Sequence, residues 1–247
     1  MRFLQKGDAY SVTSDFWNLL AASGWERLCL ACVYFGAGAA AGVVVRQLNF
    51  AYVQGIRPFI TPFLWDWRCL LLSGLNGALY FLFAANVQLH LTAGLLLQLF
   101  LTSALLLHSA IDYDCLLLPD ALTLLIFIGG AAYAHDSGNL PEALLAAFAA
   151  ALAMYLLYKC SGGMGLGDVK LAAALVLWLG AWEKAALFLL LVFVMGGAGS
   201  LLLLLSGYKK RGEAVPFGPF LALAALIMLL YGDRLCLWYW QRLLAGR

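Results

Sequence analysis

Long apolar runs separated by short polar loops recur along this chain, and they constrain its fold more than any other feature. LCLACVYFGAGAAAGVVV, CLLLSGLNGALYFLFAANV and LHLTAGLLLQLFLTSALLLHS follow one another closely, and comparable runs continue almost to the end. A helix needs about 20 apolar residues to cross the hydrocarbon core of a bilayer. Inside lipid the backbone has no water to bond to, so each run must close its own hydrogen bonds as a helix. Composition agrees, with 64% hydrophobic and 11% charged residues and a mean hydropathy of +0.90. A soluble domain carries roughly a quarter charged residues. The sequence therefore predicts an all-α, polytopic integral membrane protein with about eight transmembrane helices and no sizeable aqueous domain. The spans are expected at about 28–45, 69–87, 89–109, 121–134, 143–158, 171–182, 185–205 and a last one ending near 231, the sixth being short for a full crossing.

Four stretches follow from this pattern. Residues 1–27 form a tail with an expected interfacial helix over Ser14–Glu26, capped by Ser14 or Asp15. Nothing apolar stands directly behind Arg2 and Lys6, so this opening does not read as a cleavable signal peptide. Residues 28–99 hold the N-terminal membrane helices, and Gly36, Gly38 and Gly42 in the first are expected to let helices approach closely. Residues 100–232 form the main membrane core, and 233–247 an interfacial tail with Trp238, Tyr239 and Trp240. Alternation places the loop carrying Arg46, Arg57 and Arg68 on one side with Lys159, Lys170 and Lys209–Lys210–Arg211, against Lys184 on the other. The positive-inside rule makes the basic side cytoplasmic.

Several chemistries are set aside. The formal charge of +2 gives no basis for nucleic-acid binding. Cys29 and Cys32 have C-x-x-C spacing but lie in an apolar run without a second pair, so they are expected to be small buried hydrophobes. His90 and His108 have no histidine or cysteine partner at i+3 or i+4, and structural hydrogen bonding is expected.

The acids carry the chemical interest. Two crossings separate Asp112 from Asp168, so both return to one membrane face, and two more bring PFGPF back to it. Ionisable groups at membrane depth are costly and are functional candidates by default. Two carboxyls in a low-dielectric cleft repel, so that one holds a proton while the other activates water, as in aspartic proteases. Gly162, Gly163, Gly165 and Gly167 keep side chains away just before Asp168, as an extended substrate would require. The alternative is that Gly167–Asp168 simply ends a loop and caps the next helix. Asp120 reads as the N-cap of the fourth span, and Asp114 as a solvated loop charge or a substrate contact. Chemistry alone does not choose Asp112 over Asp114.

IDYDCLLLPDALTL, SGGMGLGDVKL and AVPFGPFLALAAL together resemble the three signatures of the type IV prepilin peptidases, membrane aspartyl proteases of the GxGD class. The resemblance covers about residues 100–230. It implies that Asp112 and Asp168 are the catalytic pair. It also matches Lys170 to a basic residue beside the second acid and Pro216, Phe217, Gly218 and Pro219 to a loop near the active site; with Gly165, Gly167, Asp114 and Asp120 these make up the expected substrate region. The activity it implies is cleavage, after a glycine, of the basic leader of type IV prepilins or pseudopilins. The setting is the cytoplasmic boundary of a bacterial inner membrane, in type IV pilus assembly or protein secretion. Lys170 and the KKR cluster would repel such a leader, so Asp114, Asp120 or Glu213 is expected to read it. The partners are then the prepilin and the lipid bilayer, and proteolysis needs no cofactor.

The N-terminal third departs from the family pattern. Bifunctional members carry a cytoplasmic insert with paired C-x-x-C motifs, whereas this chain keeps WDWRC with Cys69 alone. No metal is expected. N-methylation with S-adenosylmethionine, the family's second activity, loses its support with the insert. The rival readings are a small proton-coupled transporter, which would show inverted repeats and acids near mid-span, and a non-catalytic assembly factor on the same scaffold.

Overall fold

The computed structural model describes residues 25–55, 66–86, 90–161, 164–208, 210 and 213–245. The chain is a polytopic, all-α integral membrane protein. Its described residues form α1 (Trp25–Gln54), α2 (Trp67–Asn86), α3 (Ala93–Cys115), α4 (Asp120–Asp136), α5 (Leu140–Ser161), α6 (Leu166–Leu179), α7 (Trp182–Leu205) and α8 (Gly218–Ala245). Six of these eight helices are long and apolar enough to cross a membrane; α4, with 17 residues, and α6, with 14, are shorter.

The sequence explains where several helices stop and start. Asp66 caps α2, its Oδ1 accepting the Cys69 N–H at 2.8 Å. Thr92 caps α3 by accepting from the Leu95 N–H. At the other end of α3, Leu116 takes the left-handed conformation (φ 54°) and its N–H closes on the Asp112 carbonyl at 2.8 Å. A leucine there is uncommon, and Pro119 soon afterwards bars any continuation of the helix. Gly165, in an extended conformation, opens α6, and Gly180, left-handed like Leu116, closes it.

α6 is the centre of the molecule. It packs against α4, α5, α7 and α8, and Leu171, Ala172 and every residue from Ala174 to Leu179 are buried. A helix apolar on all sides and surrounded by protein has no need to span the bilayer. At about 1.5 Å per residue α6 is roughly 21 Å long, short of the ~30 Å hydrocarbon core. Trp178 locks it to α4: its Nε1–H donates to the Ile126 carbonyl at 3.0 Å and its ring stacks on Tyr133. Gly129 makes room, since a Cβ there would come within 2.8 Å of the indole.

The N-terminal helices pack through small residues. A Cβ on Gly38 would lie 2.7 Å from the Asn76 carbonyl oxygen, and one on Gly42 would lie 2.5 Å from Ser73 Cα. Gly36 faces open space and takes no part in this contact. Asn76 donates to the Gly38 carbonyl and to Ser103 Oγ, both at 3.0 Å, and so ties α1, α2 and α3 together. Such interhelical bonds replace the hydrophobic driving force that lipid does not supply.

The structure corrects some expectations. α3 continues six residues past Ser109 to Cys115, so Asp112 and Asp114 belong to its last turn and not to a loop. Pro119 stands at the cap position of α4 without a side-chain bond, and Asp120 occupies the first turn, where its charge suits the helix dipole. Cys29 and Cys32 lie on the exposed surface of α1, as does much apolar surface elsewhere. The tail from 233 continues α8 as far as Ala245. The expected interfacial helix lies outside the described residues except for Trp25 and Glu26, which already belong to α1, and Arg57, Gly162, Gly163, Lys209 and Arg211 also lie outside them.

Candidate active site

The last turn of α3, the first turn of α6 and the start of α8 meet at one end of the bundle. Asp112, 5% exposed, comes from α3, and Asp168, 8% exposed, from α6. They are near enough for the charge on Asp112 to act on Asp168. Each is held by one backbone amide. The Gly218 N–H donates to Asp112 Oδ2 at 2.7 Å, and the Gly165 N–H donates to Asp168 Oδ2 at 3.1 Å. The second oxygen of each carboxyl accepts nothing from the described residues. Two buried acids, each fixed through one oxygen, thus keep the other for a water or a substrate.

The glycines around them have separate reasons. A Cβ on Gly218 would sit 2.8 Å from Asp112 Oδ2, so a side chain there collides with the carboxylate. A Cβ on Gly167 would come 3.1 Å from Leu118 Cβ, so this glycine brings the first turn of α6 against the segment before α4. Asp168 reaches back to Gly165 across the three residues typical of a helix start. Helix capping and placement in the acid pair are therefore both true of Asp168.

The remaining predicted positions divide. Phe217 leaves the acids and fills the space over Gly196, where a Cβ would come within 2.8 Å of its ring, with Phe193 and Phe220 alongside. Pro216 precedes α8 and Pro219 stands in its first turn, where a missing N–H costs nothing. Lys170 pairs with Asp120 at 2.8 Å on the exposed rim, joining α6 to α4. Asp114 turns toward the N-terminal helices, where Asn49 and Arg68 bind it. Glu213 is exposed beside the start of α8.

Sequence reasoning did not single out Asn49, Arg68, Arg46 or Asp66 as partners in one network. Arg46 pairs with Asp66 through two nitrogens, at 2.7 and 3.2 Å, while Arg68 pairs with Asp114. The signal available was a run of arginines expected in one loop, whereas Arg46 lies on α1 and Arg68 on α2; such a run says nothing of residues 65 positions apart such as Asn49 and Asp114. His108, buried one turn before Asp112, bonds Thr123 Oγ1 at 3.0 Å, the structural role expected of it. A cavity of about 170 Å³ lies at the other end of α6, lined by Tyr133, Trp178, Gly180, Lys184 and Asp233 among others.

Residues 99–201 match the model of the type IV leader peptidase family. The chain is 34% identical over 221 residues to a prepilin leader peptidase/N-methyltransferase of Burkholderia pseudomallei (strain 1026b), covering 83% of this chain and 69% of that protein. A protein of the same description from Aeromonas salmonicida (strain A449) is 38% identical over 159 residues, 61% of this chain and 54% of its own length. One from Legionella pneumophila is 40% identical over 137 residues, 52% and 47% respectively. The chain thus spans about half the length of the Aeromonas and Legionella proteins. No solved structure matches it. With a relative matched along most of both chains, and the family match covering both Asp112 and Asp168, the chain belongs to the type IV leader peptidase family.

Proposed function

We propose that the chain is an aspartic endopeptidase that removes the basic leader of type IV prepilins or pseudopilins, acting at the cytoplasmic boundary of a bacterial inner membrane. The observation that carries this reading is the meeting of Asp112 and Asp168, from separate helices, each with one oxygen left unbonded by the described residues.

In this reading a water lies between the two carboxyls. One carboxyl is ionised and takes a proton from the water, whose oxygen adds to the scissile carbonyl carbon. The other gives its proton to the carbonyl oxygen. Collapse then breaks the C–N bond, and a proton passes to the leaving amine. Because the pair shares its proton, the two titrate together and cleavage falls off on both sides of an optimum pH. Substrate geometry supports the placement: an apolar pilin helix stays in the bilayer while its charged leader reaches the acids at the helix ends. Lys159 in the last turn of α5 and Lys170 in α6 fall at this same end, in keeping with a cytoplasmic face.

The transporter reading expects acids near mid-helix, whereas Asp112 and Asp168 lie in terminal turns. Methyl transfer is part of the relatives' printed names, and its donor, S-adenosylmethionine, needs a pocket of its own. The cavity beside Lys184 is about 170 Å³ and stands at the wrong end of α6, against roughly 300–1,000 Å³ for ligand sites. It does not fit that group, and the proposal is confined to peptide cleavage.

The test is incubation of the purified chain with a prepilin. Asp112→Asn and Asp168→Asn are each expected to lower cleavage at least about 10³-fold, with helicity and thermal stability retained. Substantial cleavage by either variant would end this mechanism.

A further inference from the structure

Asp114 lies two positions beyond Asp112, and its two partners differ in kind. Asn49 Nδ2 donates to Oδ2 at 3.0 Å from a side chain only 2% exposed. A carboxylate can only accept, so this bond fixes which end of the amide faces it. Asn49 Oδ1, at the other end, is buried and has no hydrogen-bond donor among the described residues. Arg68 is held more loosely. It reaches both Asp114 oxygens, at 3.0 and 3.2 Å, through the single nitrogen NH1, without the two-nitrogen fork that Arg46 uses on Asp66. Its side chain is 39% exposed, and an ion pair that open to water contributes little.

A carboxylate, a buried amide with a spare acceptor and a weakly held internal cation together suit a guanidinium or ammonium with several N–H groups. Asp120 offers no comparable place, since both it and Lys170 are solvated. We propose that Asp114 and Asn49 form the subsite for a lysine or arginine of the substrate leader, and that Arg68 fills it until that side chain displaces it. This rests on the leader-peptidase reading and adds to it which residues read the leader's charge. The incoming cation supplies Asn49 Oδ1 with the donor that Arg68 does not. An extended leader advances about 3.3 Å per residue, so a cation a few residues before the scissile bond can reach Asp114 while the bond lies at Asp112.

The experiment compares kcat/KM of the full chain on two prepilin peptides, one with its native basic leader and one with the leader lysines and arginines replaced by glutamine. In Arg68→Gln the ratio of basic to neutral leader is expected to rise roughly three- to fivefold, the size of an exposed ion pair. In Asp114→Asn it is expected to fall about tenfold, the size of a bond to a charged group, while Asp114→Glu, which keeps the carboxylate, retains more of it. Ratios equal to the wild type in Arg68→Gln and Asp114→Asn overturn the subsite, and so do variants that lose both peptides in proportion, because a structural role would act on either leader. Wild-type protein that cleaves neither peptide removes the leader-peptidase reading, and the subsite with it.

Discussion

Gly218 shows how much a single position settles. Its N–H holds Asp112 Oδ2 at 2.7 Å, and the space a Cβ would need is occupied by that same carboxylate, 2.8 Å away. Gly218→Ala keeps the amide donor but pushes the acid aside. A displacement of about 1 Å from productive geometry can cost 10²-fold. The substitution is expected to lower kcat by roughly that factor with little change in thermal stability, measured on a prepilin substrate. Unaltered kcat would mean that the position of Asp112 is not limiting. The sequence made Gly218 visible as part of PFGP, yet its partner lies 106 residues away. Parity could place the two on one face, but only side-chain geometry shows that an amide and a carboxylate meet.

At the scale of helices, close approach is written in small residues. Gly38 and Gly42, one helical turn apart, form the face on which α1 meets α2, a spacing that the sequence displays openly. Gly42→Val would drive a branched side chain into the Ser73 backbone, 2.5 Å from where its Cβ begins. Overpacking of this kind costs about 1–3 kcal/mol. The melting temperature is expected to fall, while Gly36→Val, which faces open space, leaves it near the wild-type value. Equal effects at the two positions would contradict this packing. The sequence could not separate Gly36 from the other two, because rotation of a helix about its axis is set by its neighbours. Helix ends were legible where a cap or a proline marks them, and misjudged where α1 runs on past 45 to Gln54 and α3 through the polar Asp112 and Asp114.

For the whole molecule, the question is how the N-terminal helices connect to the acid-bearing half. Beyond the apolar contacts among α1, α2 and α3 and the Asn76 hydrogen bonds that tie them, they do so through charge. Arg46 of α1 binds Asp66 at the head of α2, and Asn49 of α1 and Arg68 of α2 bind Asp114 at the foot of α3. The Arg46 guanidinium holds the Asp66 carboxyl below its ordinary value of 3.8. For a group depressed in the folded state, the stabilisation is full above the unfolded pKa and is lost as pH falls through the folded one. Wild-type thermal stability is therefore expected to exceed that of Arg46→Gln at neutral pH. The difference should persist to about pH 4 and shrink as pH drops below it. A difference that stayed constant through this range would assign the role of Arg46 to packing, including its stacking on Phe50.

The sequence by itself determined that the chain is a bundle of membrane helices and that Asp112, Asp168 and PFGP return to one face. Those properties depend on the length of apolar runs and on counting crossings, both of which are carried by neighbours along the chain. It could not say which helix lies at the centre. In lipid, a surface helix and a core helix are equally apolar, so α6, buried along nearly its whole length, and α7, largely exposed, read alike. Nor could it say that Asp114 turns away from Asp112 toward Asn49 and Arg68. Residues two apart on a helix face different directions, and what each one meets was decided only when helices distant in sequence packed together.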